Sequence, residues 1–199
     1  MPSTDPDAAH DSERAHLRKK LIASREALAD RLERAVALQD VLRVWLVGRH
    51  ETSIGAYWPI KGEFDPLPEL YRWTEGAPDD VTRRIGLPRA DRASGSLRWH
   101  VWFPGCPMEI DAYDIPKPKD TEAFAPELLV VPCLGYGPRG VRLGYGGGFF
   151  DRTLRAVTPH PFTVGVCYTQ GFLPLLRASA LDIELDALLT EDGVMWQRE

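Results

Sequence analysis

Residues 142–151, which read RLGYGGGFFD, are the part of the chain whose residue types best suit chemistry. Four glycines within five positions leave the backbone bare, and because ordered glycine is entropically unfavourable, such a run favours close approach of the backbone to another group. Arg142 precedes the glycines, and Asp151 follows them at the start of a predicted helix. Bare amides and a cation suit phosphates, whereas a carboxylate suits a metal ion. The run therefore indicates a nucleotide-phosphate site, with a mobile glycine hinge and a helix-capping aspartate as the alternative.

A second glycine pattern, GYGPRG at residues 135–140, fits the dinucleotide-binding motif G-x-G-x-x-G directly after an apolar run. That motif requires its last glycines to open a helix, and Pro138 interrupts it, so we disfavour a Rossmann cofactor site. A Walker loop is excluded because no Gly-Lys-Ser or Gly-Lys-Thr follows the glycines. If residues 142–148 bind phosphate, they do so as an unrelated nest of backbone amides.

Three arginines mark one face of a predicted N-terminal helix. Arg14, Arg18 and Arg25 occur at positions i, i+4 and i+11, and Lys19 flanks them. A solvated charged face is one interpretation of this pattern. The functional interpretation is that the arginines bind an anion that another part of the fold also binds.

Glu63 follows the first predicted strand, a few residues after Tyr57 and Trp58. Ligands of open α/β sheets bind at the carboxyl ends of the strands. A carboxylate at that place, beside two aromatic rings, could hydrogen-bond the edge of a flat heterocycle. The alternative is an ordinary solvated loop glutamate.

The elements that must position these residues alternate along the chain. Residues 1–11 are expected to be disordered, and residues 12–199 to form a single α/β domain. The all-apolar run at residues 128–131 predicts a strand buried in a parallel sheet. Apolar periodicity predicts helices over 12–40, 41–46 (or a continuation), 66–74 and 149–157, strands over 53–58, 81–85, 97–103, 128–131, 162–168 and 187–190, and a long surface connection over 110–126. This alternation predicts an open α/β sheet.

Composition limits the class of protein. The 199 residues are 44% hydrophobic, with a formal net charge of −5 and a pI of about 5.6, which argues against a general nucleic-acid binder. No apolar run approaches the roughly 20 residues of a membrane span, and the N-terminus lacks the apolar centre of a signal peptide. Three widely spaced cysteines indicate a reducing cytoplasm. We therefore expect a cytoplasmic protein without nucleic-acid or membrane partners.

These motifs, in this order, resemble those of the 5-formyltetrahydrofolate cyclo-ligase family. The central motif of the family is similar to R-L-G-x-G-x-G-Y-Y-D-R, and residues 142–152 read RLGYGGGFFDR. The family opens with a basic helix of the form K-x-x-x-R-K and a further arginine. Arg14, Arg18, Lys19 and Arg25 match this pattern, with Arg14 in place of its first lysine. Glu63 falls where the family places a substrate-binding glutamate.

The resemblance implies an ATP- and Mg²⁺-dependent conversion of 5-formyltetrahydrofolate to 5,10-methenyltetrahydrofolate, with release of ADP and phosphate. The formyl oxygen would be phosphorylated and N10 would close the ring. Arg142 and Asp151 would be catalytic, with Asp151 as the metal ligand. The implied ATP-binding residues are Arg14, Arg18, Lys19, Arg142, Leu143, Gly144, Tyr145, Gly146, Gly147, Gly148, Phe149, Phe150 and Asp151. The implied folate-binding residues are Tyr57, Trp58, Glu63 and Phe150.

The resemblance also implies a mostly parallel sheet with helices on both faces, in the three-layer arrangement of the sugar-phosphate isomerase-like group, and a monomer or weak homodimer. Two departures from the family pattern stand out. Phe149 and Phe150 replace its paired tyrosines, and Gly137 stands where the family often has an aspartate. A catalytically weak or inactive paralogue that binds folate or nucleotide is therefore the alternative.

Overall fold

The computed structural model describes residues 6–199, with side chains from residue 12 onward. Within this range the helices are α1 (Pro6–Glu26), α2 (Arg31–Val47), α3 (Leu67–Glu75) and α4 (Phe149–Ala156). The strands are β1 (Ser53–Gly55), β2 (Arg84–Asp91), β3 (Ser96–Trp102), β4 (Met108–Ile110), β5 (Pro116–Pro118), β6 (Ala123–Phe124), β7 (Leu128–Pro132), β8 (Gly135–Tyr136), β9 (Arg142–Leu143), β10 (Phe162–Val166), β11 (Ala187–Thr190) and β12 (Gly193–Gln197).

The described residues form an eight-stranded sheet in the order β12-β11-β10-β7-β1-β2-β3-β6. Strands β2, β1, β7, β10 and β11 run parallel, whereas β12 and β3 are antiparallel to their neighbours β11 and β2. The chain moves from β1 outward to β2 and then returns to place β7 on the other side of β1. The strand order therefore reverses between β1 and β7, and such a switch point opens a crevice at the carboxyl ends of the strands.

Helices cover both faces of the sheet, which confirms the expected fold class. On one face, α2 and α3 bury Leu38, Leu42 and Leu70 in a cluster with Ile54 of β1 and Val130 of β7. On the other face, α4 packs through Leu154 into a second cluster that includes Trp99, Leu129 and Val131. Strand β7 carries side chains into both clusters because successive residues of a strand point to opposite faces. This double burial explains the all-apolar run at residues 128–131.

α1 lies apart from both clusters. Its Leu17, Leu21 and Ile22 form a separate small cluster with Leu134 and Leu143, near the carboxyl end of the sheet. No helix in the described part of the chain is long and apolar enough to cross a membrane.

Several boundaries differ from the sequence prediction. The continuous helix predicted over 12–40 is broken at residues 27–30, because Leu21 packs in the small α1 cluster while Leu38 packs on the sheet, so the axis must turn between them. α1 begins at Pro6, within the segment expected to be disordered, and residues 1–5 lie outside the described residues. The predicted surface connection over 110–126 contains the short strands β5 and β6, and β12 was not predicted.

Candidate functional site

A small, partly open cavity lies at the carboxyl ends of β1, β7 and β10, next to the switch point of the sheet. Its volume is about 10 Å³, which is room for a single water molecule. It is lined by Arg25, Tyr57, Glu63, Phe64, Pro132, Cys133, Val166, Cys167 and Tyr168. Tyr57 follows β1, Cys133 follows β7 and Tyr168 follows β10, so the sheet topology brings these positions together.

Glu63 presents a buried carboxylate to this cavity. Its Oε2 accepts a hydrogen bond of 2.9 Å from the backbone amide of Ile60. Part of the residue is accessible, but Oε1 is buried and has no hydrogen-bond partner of ordinary geometry. Burial raises the pKa of Glu63 to about 6, against the opposing effects of the Ile60 amide, Arg25, Tyr145 and Lys61. The orphaned Oε1 and the raised pKa both indicate that the hydrogen bonds to this carboxylate compensate only in part for its burial.

Arg25 of α1 is the cation that faces this carboxylate. The residue is 4% exposed. Its Nε donates to the Lys61 carbonyl at 3.0 Å, and a terminal nitrogen donates to the Tyr145 hydroxyl. Arg25 therefore joins the loop that carries Glu63 to the glycine loop, which we define as residues 144–148.

The other two arginines of α1 reach further along the same edge of the sheet. Arg18 donates its Nε to the Gly144 carbonyl at 2.9 Å. Arg14 is buried and forms an ion pair of 2.6 Å with Asp182, with a further hydrogen bond of 3.2 Å to the Arg177 carbonyl. α1 thus lies across the loops that follow the strands, and the solvated-face interpretation is wrong for Arg14 and Arg25.

Arg142 and Asp151, which flank the glycine loop, are paired with each other. The ion pair measures 2.9 Å, and the side chains are 5% and 19% exposed. The second oxygen of Asp151 accepts from the Ile183 amide at 3.1 Å. The Nε of Arg142 is buried and has no hydrogen-bond partner in the described structure. An unused buried donor is costly, so Arg142 is suited to an additional anion.

The glycine loop leads directly into α4. Gly148 is the N-terminal capping residue, with a φ of 66° that favours glycine. Gly146 and Gly147 are exposed, and Arg152 donates to the Gly147 carbonyl at 2.6 Å. The first amides of a helix lack helical acceptors, so the loop and the start of α4 together suit an anion.

Residues 10–191 match the 5-formyltetrahydrofolate cyclo-ligase family. The chain belongs to this family. Among curated proteins it is 28% identical over 153 residues to the 5-formyltetrahydrofolate cyclo-ligase of Escherichia coli strain K12, covering 73% of this chain and 80% of that protein. It is 27% identical over 188 residues to the enzyme of that name from Mycolicibacterium smegmatis, covering 89% of this chain and 93% of that protein.

Solved structures of cyclo-ligase relatives agree with the fold. The 5,10-methenyltetrahydrofolate synthetase of Aquifex aeolicus superposes with a TM-score of 0.73 at 27% identity, covering 93% of this chain and 92% of that chain. The synthetase of Mycoplasma pneumoniae superposes with a TM-score of 0.71 at 20% identity, covering 89% of this chain and 98% of that chain. The resemblance drawn from the motifs is confirmed, as is the mostly parallel α/β fold.

The structure brings some of the predicted site residues together and separates others. Tyr57 lines the cavity and donates its hydroxyl to the Phe64 carbonyl at 2.6 Å. Trp58 packs on the α2–α3 cluster, and Phe150 packs against Trp99 with ring centroids 6.2 Å apart. Neither ring lines the cavity. Lys19 lies exposed on α1, and Leu143 is buried in the α1 cluster.

The disfavoured glycine pattern and the Gly137 departure are both explained by packing. Residues 135–140 form β8 and a short 3₁₀ turn that leads into β9, so they lack the helix that the dinucleotide motif needs. A Cβ at Gly137 would lie 3.0 Å from both the Cβ and the carbonyl oxygen of Leu176. A side chain at this position would require Leu176 to shift by a few tenths of an ångström, so the packing here favours glycine.

The sequence did not predict the residues that Arg14 and Arg25 contact. Asp182, which pairs with Arg14, gave no local signal, because it lies 168 positions away in an irregular segment. Arg25 was placed on the correct helix face, but nothing local indicated its contact with Tyr145. Cys133 also lines the cavity, where burial raises the pKa of its thiol and keeps it protonated and unreactive.

Proposed function

We propose that this chain converts 5-formyltetrahydrofolate to 5,10-methenyltetrahydrofolate with consumption of ATP. The observation that carries the proposal is the convergence of phosphate-binding and heterocycle-binding groups at one edge of the sheet. Arg18 and Arg142 lie beside the glycine loop, Arg14 lies further along the same edge and pairs with Asp182, and the buried carboxylate of Glu63 lies beside Arg25 at the switch point. Membership in the cyclo-ligase family supports the same reaction.

The chemistry requires positioning and charge neutralisation more than covalent participation by the protein. A formamide oxygen is a poor leaving group, so transfer of the γ-phosphoryl group of ATP to that oxygen activates the formyl carbon. N10 then forms a bond to this carbon and loses its proton. The carbon–oxygen bond breaks, and phosphate leaves.

In this proposal Arg14, Arg18 and Arg142 neutralise the phosphates. The unused Nε atoms of Arg14 and Arg142 support this assignment, because each offers a buried donor without a partner in the described structure. The glycine loop leaves room for the nucleotide, and its amides together with those at the start of α4 add hydrogen bonds. Glu63 accepts hydrogen bonds from the nitrogen-bound hydrogens of the pterin, with Tyr57 beside it.

Asp151 is the proposed Mg²⁺ ligand. Within the described residues no group of three or more His, Cys, Asp or Glu side chains is arranged to hold a metal ion. Mg²⁺ commonly binds through one or two carboxylates together with substrate phosphates, and Asp151 fits that mode because each of its oxygens keeps accepting capacity. The ion would supply charge neutralisation on the phosphates. Asp151 also orients Arg142 through their ion pair.

We also infer a cytoplasmic location and a monomer or weak homodimer. The support for the location is that Cys106, Cys133 and Cys167 are all buried and unpaired, as expected in a reducing compartment.

The direct test mixes the purified protein with 5-formyltetrahydrofolate and Mg-ATP and follows the near-ultraviolet absorbance of the methenyl product. We expect an ATP-dependent increase, with one ADP formed per product. A reaction without ATP is the control. If the protein binds both ligands but forms no product, it is an inactive paralogue and the proposal is wrong.

A further inference from the structure

The cavity beside Glu63, which is the proposed folate pocket, is too small for a pterin ring in this structure. It has room for one water molecule, whereas bound organic ligands occupy pockets of roughly 300 Å³ or more. A pterin ring therefore reaches the carboxylate only after neighbouring side chains move. Arg25 lines the cavity, and the Tyr145 hydroxyl interacts with both Arg25 and the Glu63 carboxylate.

Tyr145 belongs to the glycine loop. Its neighbour Gly144 accepts the hydrogen bond from Arg18, which is one of the proposed phosphate ligands. A phosphate that draws Arg18 toward itself pulls on the residue next to Tyr145. The side chain that interacts with Glu63 therefore belongs to the same loop that Arg18, a proposed phosphate ligand, contacts.

Arg25 fixes this arrangement from α1. Its two hydrogen bonds go to the Lys61 carbonyl, two residues before Glu63, and to the Tyr145 hydroxyl. The Tyr145 ring also faces two cations, with its centroid 5.9 Å from Arg25 and 5.6 Å from Lys61. The contact between Arg25 and Tyr145 thus joins the glycine loop to the folate loop.

We propose that Arg25 is a positioning residue that, through Tyr145, couples occupancy of the folate pocket to occupancy of the nucleotide site. This inference rests on the proposed function. The first ligand to bind opens the Arg25–Tyr145 contact, so the second ligand binds a pocket that is already open. The coupling is positive, and linkage requires it to be equal in both directions.

The test measures the Kd of 5-formyltetrahydrofolate by calorimetry, alone and with saturating Mg-ADP, which does not support turnover. In the unmodified protein we expect ADP to tighten folate binding by about fivefold or more, the lower end of typical coupling between sites. Tyr145→Phe removes the hydroxyl and keeps the ring. In this variant folate alone binds nearly as tightly as it does to the unmodified protein with ADP, and the ADP effect falls below about twofold.

This pattern distinguishes loss of the Arg25–Tyr145 contact from structural damage. Damage to the pocket weakens folate binding, whereas loss of a contact that must open before folate binds strengthens it. Arg25→Lys is the second variant, since it keeps the charge but lacks the planar guanidinium whose separate nitrogens reach Lys61 and Tyr145, and it should also lose the coupling. Tyr71→Phe on α3, outside the site, is the matched control and should retain it.

The inference is overturned if ADP has no effect on folate affinity in the unmodified protein, or if Tyr145→Phe keeps the full effect. If the unmodified protein binds neither folate nor ADP, the proposed function itself fails, and the inference fails with it.

Discussion

Replacing Glu63 with glutamine should stabilise the folded protein at neutral and alkaline pH. Burial raises the pKa of this carboxyl from 4.5 to about 6, and Arg25, Lys61 and Tyr145 compensate only in part. Folding therefore opposes ionisation of Glu63. Glutamine keeps an acceptor for the Ile60 amide and carries no charge to bury.

The magnitude follows from the difference between the two pKa values. Up to about 2 kcal/mol of unfolding free energy corresponds to a pKa difference of this size. Because the pKa is higher in the folded state, the unmodified protein loses this stability as the pH rises from about 4.5 through 6. Below that window both states are protonated, and the Glu63 contribution is zero.

The assay is urea unfolding of Glu63→Gln and the unmodified protein at pH 4, 6 and 8. We expect the difference in unfolding free energy to grow in favour of the variant by up to about 2 kcal/mol between pH 4 and pH 8. Equal pH profiles for the two proteins would show that the carboxylate is not desolvated, and the reasoning would be wrong.

Glu127→Gln is a control for which we expect the opposite change in unfolding free energy. The Glu127 carboxylate accepts hydrogen bonds from the Thr52 and Ser53 amides at 2.6 and 3.1 Å, and the Thr52 amide in particular lowers its pKa. Stability from a lowered pKa is present above the unfolded value and is lost as the pH falls through the folded value. Glu127→Gln should therefore be less stable than the unmodified protein at pH 8, and the difference should shrink in acid.

Two further predictions concern the site. Asp151→Asn should abolish Mg-ATP-dependent turnover in a protein that still folds; it should also lower the unfolding free energy by about 3 kcal/mol, because Arg142 stays buried without its counter-charge. Turnover assays and urea unfolding measure the two effects, and full activity would remove Asp151 from the metal role. If Glu63 binds the pterin as proposed, the affinity for 5-formyltetrahydrofolate should rise about tenfold from pH 5 to pH 7, because the ionised carboxylate, whose pKa is about 6, is the better hydrogen-bond acceptor. Calorimetric titration at the two pH values checks this, and a flat profile would contradict it.

Local sequence patterns predicted much of the fold. The all-apolar run at residues 128–131 predicted a strand buried on both faces because only a central strand meets apolar layers above and below it. The glycine loop and the helix after it were predicted within a residue of α4 (Phe149–Ala156), because glycine and apolar periodicity act on neighbouring residues. The hairpin of β12 was missed, since its largely exposed residues carry no apolar alternation.

The sequence by itself determined the family, the fold class and the chemical character of the glycine loop, because those depend on residue types at short spacing. Only the tertiary structure decided which side chains meet. Arg25 contacts residues 36 and 120 positions away, and Arg14 contacts Asp182 from a distance of 168 positions. Contacts at such separations depend on the order of the strands and on where α1 lies across their carboxyl ends. The closed pocket at Glu63 is a property of that arrangement, because its walls come from α1 and from loops after three different strands.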